Sequence, residues 1–220
     1  VIAISRRFGE HLVADYGLDP ARITVVPNPI DLEALHPTTR ATSHVRHLVF
    51  VGRISVRKGV DLIVELSHRL ADLEGQVVLD IVGTETLWSD YRPLLADLHP
   101  GVARVHGYLK RPELIQLLAT ADVLVHPAAF EPFGLTVGEA LACGVPVVAT
   151  TEVGAAEDVS PKCCFLVPPR DVDALEKAVR EMLDRLDTGD EAVIRAQARA
   201  EAERLFAPRD VASRVLDVLA

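Results

Sequence analysis

The chain has 220 residues, enough to bury a sizeable core in one large or two small domains. A hydrophobic share of 49% with 25% charged residues excludes a disordered or fibrous chain. A net charge of −9 argues against nucleic acid as a partner, and no apolar run is long enough to span a bilayer. Any anionic ligand must therefore be held by local cations and helix ends rather than by the overall field.

Residues 1 to 35 open with an apolar strand, VIAIS, and an amphipathic helix. They then reach ITVVPNPID, where two prolines flank Asn28. A start inside a strand, at Val1 rather than Met, reads as a piece of something longer. The stiff proline segment reads as the exit from an upstream domain. HLVFVG (47 to 52) is a buried strand ending in Gly, followed by a helix from about Gly59 to Ala71 with Val60, Ile63, Val64 and Leu70 on one face. QVVLDIVG (76 to 83) is the next strand, and a helix is expected from about Trp88 to Leu98. ARVHG (103 to 107) is a short strand. The helix RPELIQLLATA (111 to 121) has Pro near its first turn, and DVLVHP (122 to 127) is another strand.

The loop AAFEPF leads to a helix from about Gly134 to Cys143. VPVVAT (145 to 150) and CCFLV (163 to 167) are the last strands, and helices follow near 171 to 186, 190 to 205 and 208 to 219. Aromatic residues are only 5%, so the core rests on Val, Leu, Ala and Ile, as in sheets of buried parallel strands. Repeated strand–helix alternation predicts an α/β fold: a Rossmann-like, doubly wound parallel sheet with helices on both faces. In such sheets ligands bind beyond the carboxyl ends of the strands, which directs attention to the loops after Gly52, Gly83, Gly107, Pro127 and Thr150. The three cysteines, Cys143, Cys163 and Cys164, suit neither a disulfide framework nor zinc and read as buried thiols in a reducing compartment.

Two loops carry chemistry. EPFGLTVGE sets Glu131 and Glu139 eight positions apart, across a loop and the first turn of a helix. The free amides of Phe133, Gly134, Leu135 and Thr136, with the helix dipole, make a seat for a phosphate, and Gly134 lets the backbone approach closely. Glu139 lies about one turn on, and helical side chains lean back toward the N-terminus. Its carboxylate can therefore accept from hydroxyls beside that phosphate, such as a ribose diol. Glu131 faces the opposite side, where a sugar would sit. VGRISVRKG supplies the second element: Gly52 ends a strand, Arg53 follows, and Lys58 stands at the next helix start. A guanidinium fork and a point charge suit a diphosphate. Arg57 reads as exposed. Together the two loops describe a site for a nucleoside-diphosphate sugar.

Several stretches resemble the C-terminal, donor-binding half of GT-B glycosyltransferases of family four, a large retaining family (group 1 glycosyl transferases). They are VPNPID (26 to 31), FVGRISVRKGVDLIVE (50 to 65), LDIVGTE (79 to 85), VHGYL (105 to 109), LLATADVLVHPAAFEPFGLTVGEALACGVPVVAT (117 to 150), GAAEDV (154 to 159) and LVPPRDVDALEKAV (166 to 179). The resemblance implies that Arg53 and Lys58 bind the donor diphosphate and stabilise its leaving charge. It further implies that Glu139 binds the ribose, that Glu131 lies near the donor sugar, and that the amides of Phe133 to Thr136 contact sugar and phosphate. Gly107 to Leu109 corresponds to a base-contacting loop, with Leu109 pairing through its backbone and Tyr108 nearby. It implies no metal and no cofactor, since cations and helix amides serve the leaving group.

The same resemblance implies an acceptor glycan, lipid or small molecule held by an upstream domain, and a cytoplasmic protein that can sit at the inner face of a membrane. The expected division is an upstream tail and linker (1 to 35), a nucleotide-sugar domain (36 to 205) and a C-terminal helix (206 to 220) packing back toward the upstream domain. The isolated chain is expected to bind nucleotide but transfer sugar poorly.

Three positions depart from the family pattern: Gly83-Thr84-Glu85 lacks a second Gly, Ala155 stands where Gly is common, and His126 precedes the proline of the loop. His126 reads as structural. Asp171-Val172-Asp173 opens a helix and reads as a cap rather than a metal motif. The rival readings are a donor-binding module without catalysis, a GT-B nucleotide-sugar epimerase, and a flavodoxin-like signalling domain. The last leaves Arg53, Lys58 and both glutamates unexplained.

Overall fold

The computed structural model describes residues 1–38, 43–84 and 91–219. In chain order the elements are β1 (Ile2–Ala3), α1 (Arg6–Tyr16), β2 (Thr24–Val25), β3 (Arg46–Val51), α2 (Val60–Arg69), β4 (Val77–Val82), α3 (Arg92–Leu95), β5 (Ala103–Gly107), α4 (Arg111–Thr120), β6 (Val123–His126), α5 (Leu135–Ala142), β7 (Val147–Thr150), β8 (Cys164–Val167), α6 (Val172–Arg185), α7 (Glu191–Phe206) and α8 (Pro208–Leu219). Six of the strands form one all-parallel sheet in the order β5-β4-β3-β6-β7-β8. Every residue of β6 and β7 is buried, so both faces of the sheet are covered, as the unbroken apolar runs anticipate.

The helices follow from their apolar spacing. In α6, Leu175, Ala178, Val179, Met182 and Leu183 form the buried stripe, at intervals of three and four residues. Asp171 caps this helix by accepting from the Ala174 amide at 2.9 Å, and Asp173 pairs with Arg69 at 2.5 Å. Both carboxylates of that Asp-x-Asp sequence are thus engaged as the capping reading expects. Gly189 adopts φ +101° and breaks α6 from α7. The helix expected from Trp88 to Leu98 starts among residues 85–90, outside the described residues. The regular part that is described is only Arg92–Leu95. Pro93 belongs in a first turn because it has no N–H to give, and Pro100 disfavours helical geometry at His99 before it. All three cysteines are buried and free.

The strand order fixes where a ligand can enter. From β3 the chain winds outward through β4 to β5, then returns through α4 to β6, on the other side of β3, and winds outward again. Between the carboxyl ends of β3 and β6 the loops leave in opposite directions and a crevice opens. The loops that line it are tied by main-chain bonds. Gly83 N donates to Gly107 O at 2.8 Å, Ile54 N to Thr84 O at 2.9 Å, and Ala129 N to Arg57 O at 3.0 Å. Glu131 N donates to Glu152 O at 3.0 Å, and Gly154 N to Glu131 O at 3.1 Å.

At the opposite end of the sheet, the buried carboxylate of Asp122 accepts from His47 N at 2.7 Å, from Arg46 at 2.9 Å and from Arg195 at 3.0 Å, which pins β3 to β6 from below. The short parallel pair β1–β2 and α1 lie against the rim. Ser5 accepts from Phe8 N as the α1 cap, and its Oγ donates to Pro132 O at 2.6 Å. Among the described residues no helix is long and apolar enough to cross a membrane.

Gly59 shows how tight the crevice floor is. Its φ is +79°, and a Cβ there would lie 2.2 Å from Pro127 O. Gly75 has the same φ with open space around it. In urea unfolding, Gly75→Ala is expected to cost about 1 kcal/mol from backbone geometry alone. Gly59→Ala is expected to cost at least about twice that, because overpacking is added to the strain. Equal losses at the two positions would mean that β3 and β6 loops do not meet as described.

Candidate functional site

The crevice holds a cation and a carboxylate in direct contact. Lys58 ends a short turn after β3, and Glu131 follows β6; the Lys58 ammonium donates to Glu131 Oε2. Both side chains are 14% exposed. Burial pushes the Lys58 ammonium down to about 8, and the charges of Arg57 and Arg53 push the same way. Gly52 lies beneath, where a Cβ would touch the Lys58 stem at 3.9 Å. Arg53 and Arg57 are exposed at the mouth.

Beside the pair, α5 begins without a side-chain cap. The amides of Phe133, Gly134, Leu135 and Thr136 donate to no backbone acceptor among the described residues, so the helix offers its positive end to the crevice. Gly134 is in the left-handed region at φ +93°, ψ 68°. A Cβ on it would lie 3.0 Å from Val153 Cγ1, 3.3 Å from Glu131 Cγ and 3.4 Å from His126 Nε2. Glycine is therefore required both by the backbone and by the space. Phe133 is buried and meets Phe206 edge to face at 5.6 Å, which anchors the loop from below. Leu135 is exposed and Thr136 half-buried.

Further along α5, Glu139 is buried, 8% exposed, and its Oε1 accepts from the Arg111 guanidinium. Arg111 is the first residue of α4, directly after the loop that carries Tyr108 and Leu109. Tyr108 is exposed, and Leu109 packs half-buried on the core. The site thus has two foci, Lys58–Glu131 and Arg111–Glu139, linked by the first turn of α5. His126, the last residue of β6, is 1% exposed, and neither ring nitrogen has a hydrogen-bond partner among the described residues. Burial, assisted by the Lys58 charge, pushes its pKa down to about 3, so the ring is neutral.

Residues 45–185 match the sequence profile of the family described as glycosyl transferases group 1. The chain belongs to the glycosyl transferases group 1 family. Two relatives illustrate the breadth of that family. A glycogen synthase of Mycobacterium tuberculosis is 33% identical over 220 residues, 96% of this chain and 50% of its own length. A D-inositol 3-phosphate glycosyltransferase of Xylanimonas cellulosilytica is 32% identical over 242 residues, all of this chain and 56% of its own. The chain therefore spans about half the length of these relatives.

Solved structures share the fold. HepE of Anabaena, in complex with UDP and glucose, superimposes with a TM-score of 0.83 at 24% identity, covering all of this chain and 62% of its own. The sucrose-phosphate synthase of Thermosynechococcus elongatus gives 0.83 at 23%, covering all of this chain and 57% of its own. The α/β, Rossmann-like GT-B reading is borne out.

Of the residues that the sequence singled out in this glycosyl transferases group 1 chain, the structure gathers Gly52, Arg53, Lys58, Glu131 and Gly134 at one crevice. Glu139 sits on the same helix but is turned to Arg111 rather than left open. Arg111, which meets Glu139, was not singled out; its signal is weak, a cation at a helix start next to the loop of Tyr108 and Leu109. His126 was singled out by its place before the loop proline and read as structural; only the fold reveals that it is unpartnered among the described residues.

The buried pair makes a stability prediction. Glu131→Ala leaves Lys58 among like charges and is expected to cost about 2 kcal/mol in denaturant unfolding at pH 7. Adding Lys58→Met to that variant is expected to recover most of the loss. If the two single effects simply add, the groups are not coupled.

Proposed function

We propose that the chain is the donor-binding half of a retaining glycosyltransferase, which holds a nucleoside-diphosphate sugar and stabilises the diphosphate as it leaves. The observation that carries this reading is the convergence at one strand-end crevice of Lys58, Arg53, the uncapped start of α5 and two carboxylates. The diphosphate lies over the amides of Phe133, Gly134, Leu135 and Thr136, with Arg53 and Lys58 neutralising it. Glu139 accepts from the ribose hydroxyls, held in place by Arg111. The loop from Gly107 to Leu109 contacts the base, Leu109 through its backbone and Tyr108 alongside. Glu131 faces the donor sugar. Neighbouring structures of HepE solved with UDP and glucose and with UDP-glucose agree with such a donor.

Mechanistically, the fixed positive groups act most strongly where negative charge grows, on the departing diphosphate. They are preorganised before the reaction, so no metal is needed for that task in this reading. The acceptor hydroxyl attacks on the face from which the diphosphate departs, and Glu131 is not assigned as a covalent nucleophile. The acceptor, a glycan, lipid or small molecule, is held by an upstream domain. Residues 1 to 35 belong to the tail and linker of that domain, 36 to 205 to the donor domain, and 206 to 220 pack back toward it. The exposed Ile2, Val25, Leu216 and Leu219 support this division, since such side chains invite cover. The protein works in the cytoplasm, at the inner face of a membrane where the acceptor is a lipid. The isolated chain binds nucleotide but transfers sugar poorly.

Calorimetric titration of the folded chain with ADP, GDP and UDP tests the reading. One of them is expected to bind, and Lys58→Ala is expected to weaken it by about tenfold or more. Absence of binding for all three rejects the proposal. Affinity should also depend on pH with a definite sign. Lys58 loses its charge as pH rises through about 8, so its contribution to binding is fully present below that value and is lost above it. Lys58→Arg should abolish this fall, because the guanidinium stays charged throughout.

A further inference from the structure

His126 stands out because nothing among the described residues satisfies it. The ring is 1% exposed and both nitrogens lack partners, whereas buried polar groups in native proteins are nearly always hydrogen-bonded. The cost of leaving such a group bare makes an unpaired buried imidazole a sign that its partner comes from outside the chain.

Its position indicates which partner. His126 ends β6 at the crevice between β3 and β6. Nε2 faces the narrow space that Gly134 leaves by carrying no side chain: a Cβ built there would lie 3.4 Å from Nε2, 3.3 Å from Glu131 Cγ and 3.0 Å from Val153 Cγ1. That space adjoins the free amides of α5, and Glu131 beside it holds the Lys58 ammonium. It lies on the Glu131 side of the site, not on the side where Arg111 holds Glu139. A ring kept neutral carries one N–H, and a phosphate oxygen can only accept.

We propose that His126 Nε2–H donates a hydrogen bond to the distal phosphate of the bound nucleotide sugar, the phosphate that bears the sugar. This rests on the donor-site reading above and adds a residue to it. The imidazole supplies a directed donor without adding a third positive charge to a pocket that already holds two. As the bond to the sugar breaks, charge accumulates on the oxygens that Nε2–H faces, so His126 contributes to transfer as well as to binding.

The test compares wild type, His126→Leu and His126→Gln in the full chain, titrated with ADP, GDP, UDP and the corresponding monophosphates. Imidazole ¹⁵N resonances are recorded in parallel. Leucine removes both nitrogens at similar volume. It is expected to weaken the preferred diphosphate by about tenfold, to leave the monophosphate unchanged and to lower Tm not at all. Glutamine carries its amide nitrogen to about the Nε2 position and is expected to restore most of the affinity. In wild type, the His126 Nε2 resonance should move on saturation with the diphosphate and not with the monophosphate.

Unchanged diphosphate affinity in His126→Leu, with a resonance that does not move, overturns the role of His126 while the donor site stands. Equal losses for mono- and diphosphate together with a lower Tm also overturn it, since that is the signature of a merely structural ring. A folded wild type that binds no diphosphate at all removes the donor site and this proposal with it.

Discussion

Lys58 and Glu131 touch because β3 and β6 are neighbours in the sheet although they are far apart in the chain. The rest of the site depends on that adjacency. A parallel sheet wound outward in both directions from its middle has one place where consecutive loops do not cover the strand ends, and the pair lies there. Holding a cation against a carboxylate in a partly dry crevice is costly in solvation, and the fold meets that cost with packing. Unbroken apolar strands lie beneath, and Asp122 clamps the same two strands at their opposite ends.

The site is also built from groups that the fold leaves unsatisfied. The first amides of α5 have no cap, Gly134 sits in a conformation that side chains avoid, and His126 is buried without a partner. Each of these lowers stability where it stands, and all of them lie at the same strand-end crevice. Many groups elsewhere are locally satisfied: Asp171 caps α6, Ser5 caps α1, and the surface of α6 carries paired charges. Asp61 and His99 also hold a buried atom without a partner among the described residues, but at the crevice several such departures meet, as expected of a place made for something else.

Much of this was legible in the sequence, for identifiable reasons. Strands buried on both faces give unbroken apolar runs, so β3, β4, β6 and β7 were read nearly to the residue, and the start of α6 and its break from α7 followed from Asp171 and Gly189. The parts of the candidate site that the structure brings to one crevice were readable where they are local: Gly134 and a helix start in one segment, Arg53 and Lys58 in another. Local periodicity overran the carboxyl end of α3, which stops at Leu95, short of His99 and the Pro100 that disfavours helical geometry there. The partner of Glu139 was not legible, since Arg111 lies 28 residues earlier and meets it only through the packing of α4 beside α5. The isolation of His126 was equally invisible, because being unpartnered is a property of surroundings, not of a residue.

The loops around the crevice are fastened to each other largely by peptide groups: Gly83 to Gly107, Ile54 to Thr84, Ala129 to Arg57, Glu131 to Glu152. A frame joined in this way is indifferent to most side chains that hang from it. Residues facing the crevice can be exchanged over generations while the scaffold keeps its dimensions. One architecture can thereby change what it recognises without passing through an unfolded ancestor.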